Sequence, residues 1–131
     1  MKAKLTEQEF AQLIKDCLSG GVLKHVLADE FKVSEGTIGR WENGQSIPLA
    51  TIRGIVEARI VGIAVNSRDV LSGYTPLHKA AIEGHLAVVK FLVAGGADIG
   101  DCENTAQETA FQVAATAGKT EIVDFLSSQI E

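Results

Sequence analysis

The chain has 131 residues, 46% of them hydrophobic and only 5% aromatic, and a formal charge of −5. That length holds one domain or two very small ones sharing a core, and an Ala- and Val-rich composition suits close-packed helices rather than a sandwich of strands. Cys17 and Cys102 form no metal or redox spacing, the start resembles no secretory leader, and the most apolar run, 54–65, is broken by Glu57 and Arg59, so a reduced, cytoplasmic protein without a bilayer span is expected.

The charge is unevenly spread. Residues 1–70 carry nine Lys/Arg and nine Asp/Glu, whereas residues 71–131 carry three lysines against eight carboxylates. The second half repels a phosphate backbone, so any nucleic-acid contact belongs to the first.

In chain order, Thr6 and Glu9 have the spacing of a capping box, and Leu5 and Phe10 that of a hydrophobic staple. Phe10, Leu13, Ile14, Cys17 and Leu18 line one helical face, which Gly20-Gly21 ends. A second helix, about 23–31, is predicted to bury Leu23, Val26, Leu27 and Phe31. In the next run, 33–44, Ser34 serves as N-cap, Ile38 and Trp41 point inward, and Asn43-Gly44 stops the helix.

Leu27-Ala28, Val33-Ser34, Thr37-Ile38, Trp41-Glu42-Asn43-Gly44 and Pro48 together resemble the helix-turn-helix of the phage-repressor (Cro-type, XRE-like) family, over residues 23–60. The resemblance implies that the second helix of the pair lies in the major groove of double-stranded DNA, with Glu35, Gly36, Thr37 and Arg40 outward. Arg40 then faces guanine and Glu35 cytosine, while Lys24, Gln45 and Ser46 meet phosphates. It also implies a homodimer on a palindromic site. The sequence departs from the family in having no Lys or Arg in the loop 45–50 and no side chain at Gly36. The alternative therefore stays open: a helix-turn-helix that serves only as a structural cap.

Residues 49–60 are near-continuously apolar and are expected to be buried on two sides, joining the halves. Beyond them the chain repeats itself at a shift of 34 residues: Thr75 falls on Thr109, Ala80-Ala81 on Ala114-Ala115, Gly84 on Gly118 and Phe91-Leu92 on Phe125-Leu126. Gly73 supplies the backbone freedom of a hairpin end, Thr75 an N-cap, and Pro76 sits at the first helical position, where its missing N–H costs nothing.

Gly73-Tyr74-Thr75-Pro76-Leu77-His78-Lys79-Ala80-Ala81, with Gly84-His85, Val88-Val89 and Gly95-Gly96-Ala97-Asp98, resembles an ankyrin repeat. The expected fold is all-α: a helix-turn-helix bundle (1–60) continuous with a short ankyrin helical-repeat stack (61–131). The stack comprises about two repeats, preceded by a half-repeat overlapping 49–72. About three repeats are normally needed for a stable stack, so the N-terminal segment must supply a packing surface.

No nucleophile–base set, paired-carboxylate site or phosphate-cradling loop occurs, and no cofactor or catalysis is expected. His25 has no partner spacing. His78 and His85 stand where ankyrin repeats place histidines for hydrogen bonds to the backbone, which implies a structural role rather than a metal site.

Ankyrin proteins bind other proteins with hairpin tips and inner helices. By resemblance, the contact residues are Arg68, Asp69 and Tyr74 in the first tip, and Asp101, Glu103, Asn104 and Gln107 in the second. On the inner helices they are Lys79, Glu83 and Gln112. Two functions follow. In one, a DNA-binding transcription regulator carries an ankyrin interaction module; in the other, a non-catalytic adaptor or exported effector uses its N-terminal half as a cap.

Overall fold

Four helices begin where the sequence supplies a side-chain cap, Thr6, Ser34, Thr75 or Thr109. The computed structural model describes residues 5–65, 67–101 and 107–130, and of residues 50–52 and 130 the backbone alone. Among these residues there are eight helices and no strand: α1 (Glu7–Ser19), α2 (Lys24–Phe31), α3 (Glu35–Glu42), α4 (Ala50–Ala64), α5 (Pro76–Glu83), α6 (Leu86–Ala94), α7 (Ala110–Thr116) and α8 (Thr120–Ile130). Capping boxes open α1 (Thr6 with Glu9), α5 (Thr75 with His78) and α7 (Thr109 with Gln112). Ser34 caps α3 by accepting from the Thr37 N–H at 3.2 Å.

The C-terminal half is a stack of helical hairpins. α5 packs against α6, α7 against α8, and α5 lies beside α7. Leu77, Ala80 and Ala81 are buried in α5, and Val113 and Ala114 in α7; the alanines let the helix axes approach. At Gly84, which turns α5 into α6, the backbone is left-handed with φ of 82°, a conformation other residues resist.

The open side of α5 is covered by α1. α1 packs along α5 and also touches α6. It occupies the position of an inner helix but runs in the opposite sense. Gly20, after its end, abuts the backbone of Thr75 and Pro76 at the start of α5. Asp16, one turn earlier, reaches His85 beyond the end of α5. One apolar core results, continuous from Leu5, Phe10 and Leu13 through Ile60, Leu77 and Val89 to Leu126.

α1, α2 and α3 form the N-terminal bundle. The Trp41 ring stands edge-on to Phe10 at 5.7 Å between centroids and tilted to Phe31 at 5.9 Å. The turn between α2 and α3 is made by Lys32, Val33 and Ser34, with Lys32 left-handed at φ of 55°.

Two burial expectations need correction. Leu23 (56% exposed) and Val26 (38%) lie at the surface, because α2 is covered by α3 on only one flank, through Leu27 and Ala28. α4 was expected to be buried on two sides, and its Ile55 is half exposed while Val56, Ile60, Val61 and Ala64 face the core. α4 touches α6, but the tighter bond between the halves is α1 on α5.

α4 is tied to the N-terminus by a buried ion pair. The Arg53 Nε stands 3.6 Å from Glu57 Oε1, with both side chains almost fully buried. The Arg53 guanidinium donates to the carbonyls of Pro48 (2.8 Å) and Leu5 (3.2 Å), while the Leu5 N–H donates to Glu57 (3.4 Å). Backbone oxygens and an amide thus share the two charges in the space between α4 and the first residues of the bundle.

Candidate functional site

The first hairpin tip is a constructed loop. The Asp69 N–H donates to the Tyr74 carbonyl and the Gly73 N–H to the Asp69 carbonyl, both at 2.8 Å. The Ser72 N–H and hydroxyl both donate to the Asp69 carboxylate, at 2.9 and 2.7 Å. Those bonds from Ser72, its hydroxyl foremost, hold the Asp69 carboxyl below the usual carboxylate range. Arg68 donates to the Gly73 carbonyl at 2.7 Å and pairs with Asp101, so the first tip is locked to the entry of the second.

At the summit of this tip stand Val70 and Leu71, 95% and 85% exposed. Sequence reasoning passed over them. The available signal was an aliphatic pair between Asp69 and Ser72-Gly73, a place where turn residues are polar by default. The hydrogen-bonded loop thus holds two aliphatic side chains out in water.

Behind the tip, Tyr74 stacks on the His78 ring at 5.5 Å, and the Lys79 ammonium lies 5.0 Å above the Tyr74 ring. His78 is fully buried, and its Nε2 is 2.9 Å from the Glu108 carbonyl. A carbonyl only accepts, so Nε2 carries the proton and Nδ1 accepts from Thr75. This side chain therefore links successive repeats through the backbone. His85 departs from the backbone role given to it: its Nδ1 meets the Asp16 carboxylate of α1 at 2.7 Å.

Next to the tip, the inner helices present half-buried Lys79 and exposed Glu83 from α5, and exposed Gln112, Ala115 and Thr116 from α7. Gln112 is already engaged, accepting from the Thr109 N–H at 2.8 Å. In the second tip Asp101 and Gln107 are described, whereas Glu103, Asn104 and Cys102 lie outside the described residues. Tyr74, Lys79 and Glu83 lie on or just before α5, and α5 packs beside α7, which carries Gln112.

The residues named for DNA lie elsewhere, on α2, α3 and the loop that follows α3. Glu35, Gly36, Arg40, Gln45 and Ser46 are exposed, and Thr37 is half-buried with its hydroxyl 3.1 Å from that of Ser34. The Lys24 ammonium is 3.6 Å from the Glu42 carboxylate.

The geometry of paired helices with projecting tips agrees with comparison to known proteins. A family profile described as ankyrin repeats (three copies) matches residues 49–131. The chain belongs to the ankyrin-repeat family. Ankyrin repeat domain-containing protein 49 from Bos taurus is 47% identical over 51 residues, covering 39% of this chain and 20% of that protein. Its Homo sapiens counterpart is 45% identical over the same length. Ankyrin repeat domain-containing protein 37 from Mus musculus is 44% identical over 66 residues, half of this chain and 40% of that protein. The matched segment thus spans less than half the length of these relatives. The ankyrin match begins at the residue before α4, and α1 to α3 precede it.

Proposed function

We propose that this ankyrin protein is a non-catalytic protein-interaction module. Its binding surface is the first hairpin tip with the exposed faces of α5 and α7, and residues 1–60 close the stack at its N-terminal side. The observation that carries the reading is the built tip, in which Arg68 and Asp69 are spent on holding the loop while Val70 and Leu71 project. In this division Tyr74, Lys79 and Glu83 are the contact residues, and Arg68, Asp69 and Asp101 set the shape. The second tip adds Asp101, Glu103, Asn104 and Gln107, and its sequence carries no Lys or Arg, which suits a basic partner rim. Gln112 and its neighbours extend the surface along α7. The packing of α1 on α5 supports the capping role, since a stack of about two and a half repeats is otherwise short.

A test is affinity capture with the full chain, identified by mass spectrometry. Proteins retained by the wild type and by Arg40→Ala, but lost with Leu71→Asp or Glu83→Arg, support the reading. Retention that depends on Arg40 alone contradicts it.

A second reading takes the packed pair α2 and α3, with Glu35 and Arg40 exposed, as a helix-turn-helix. In it, α3 enters the major groove of duplex DNA and the protein is a transcription regulator. The Lys24–Glu42 pair and the even charge of residues 1–70 leave weak attraction for phosphates, which is why it stands second. Selection from a random duplex pool by the full chain decides: an enriched sequence lost on Arg40→Ala supports DNA recognition, and no enrichment removes it.

A further inference from the structure

A different face of the protein is apolar and uncovered. α2 and α4 run in opposite senses. Gly21, ahead of α2, abuts the backbone of Arg68 beyond the end of α4, whereas Phe31 at the end of α2 shares a groove with Ile55 and Val56. That groove encloses about 380 Å³, and Val33, Trp41 and Pro48 complete its apolar lining. Its rim holds opposite charges, Glu30 and Arg59, at 3.9 Å and each about half exposed.

The apolar surface continues past the rim on both helices. On α2, Leu23 and Val26 share a face with Glu30 by helical spacing, and both are exposed. On α4, Ile55, Ala58, Arg59 and Gly62 are spaced along one stripe, and all four are exposed. Ala58 and Gly62 are small enough to let another helix come close. Such a strip, with an apolar slot in its middle, is what an interface presents before it is filled.

We propose that this α2–α4 face joins two copies of the chain as an isologous dimer. Charge selects this occupant. Residues 1–70 carry equal numbers of positive and negative side chains, while the excess of five carboxylates sits in residues 71–131. Two copies therefore meet here without repulsion, whereas their repeat stacks repel. The rim is self-complementary: about a two-fold axis, Glu30 of one copy meets Arg59 of the other, twice over. Ile55 of each copy fills the slot between Phe31 and Trp41 of its partner. The dimer leaves the tips free, so two interaction surfaces act together on a divalent target. The proposal rests on neither reading of the repeat surface or of α3.

Sedimentation analysis of the full chain, from low to several hundred micromolar, tests it. Association to a dimer is expected, lost with Ile55→Glu in a protein whose helical circular dichroism is unchanged. Glu30→Arg and Arg59→Glu should each be monomeric, because each doubles one sign across the axis. Mixed in equal amounts, those two variants should dimerise again, which repair of a contact inside one chain does not explain. A monomer at every concentration overturns the proposal. So does a dimer indifferent to Ile55→Glu, or one lost instead on Leu71→Asp.

Discussion

The carboxylate of Asp16 and the imidazole of His85 meet at 2.7 Å across 69 residues of sequence, and they join α1 to the start of α6. Asp16 is almost wholly buried, and this burial raises its carboxyl from 3.8 to about 6, with Glu83 adding to the rise and His85 and Lys15 opposing it. The folded state thus holds this proton more tightly than the unfolded chain does. The contribution of Asp16 to stability is greatest below about pH 4 and is lost as pH rises towards about 6, by on the order of 3 kcal/mol.

Asp16→Asn, which mimics the protonated acid, should therefore gain on the wild type between pH 4 and pH 7. Urea unfolding of both proteins across that range measures the difference. A difference that does not change with pH would exclude this account.

The Arg53–Glu57 pair predicts an asymmetric mutant series. Glu57→Ala leaves a buried guanidinium without its counter-charge and should cost about 3–5 kcal/mol. Arg53→Met combined with Glu57→Leu removes both charges and should cost clearly less than the single change. Chemical denaturation of both variants checks this, and a double change that costs as much as Glu57→Ala would argue against a coupled buried pair.

Cys17 is fully buried beside Asp16, and burial pushes its thiol well above the ordinary range. In a Cys102→Ser background, Cys17 should resist a thiol reagent while folded and react promptly in denaturant. Rapid labelling of the native protein would mean that α1 leaves α5 frequently.

Glycines separate close approach from spare room. A methyl group at Gly20 would strike the backbone of Thr75 and Pro76, so Gly20→Ala should destabilise by about 1–3 kcal/mol. At Gly39 the nearest atom to such a methyl is the Lys24 ammonium at 3.8 Å, an ordinary contact, so Gly39→Ala should stabilise by up to about 1 kcal/mol. Thermal melts of the two variants should move in opposite directions, and movement in the same direction would contradict the packing of α1 on the repeat.

What the sequence made legible was local. The capping boxes at Thr6 and Thr75, the stop at Gly20-Gly21, and the Ser34 cap depend on residues three or four apart, so pattern suffices to find them. The repeat was legible because its 34-residue shift lays the capping Thr75, the buried Ala80 and the buried Leu92 on Thr109, Ala114 and Leu126. The contact of Asp16 with His85, and of Gly20 with Pro76, was not. These residues meet only after the chain has folded back past α2, α3 and α4, and no periodicity encodes that. Leu23 and Val26 misled because helical spacing reports one apolar stripe without saying whether a neighbour covers it. Val70 and Leu71 were missed for the converse reason: aliphatic side chains in a turn carry no periodic signal.

The antiparallel setting of α1 on α5 fixes where this protein can grow. An array of like units normally leaves either terminus open to one more unit, entering in the same direction as the last. Here the amino-terminal end is plugged by a helix pointing the wrong way, so an additional unit spliced in ahead of Tyr74 would have to evict it. Lengthening, whether by gene duplication or by a protein engineer, is left with the far end, past α8.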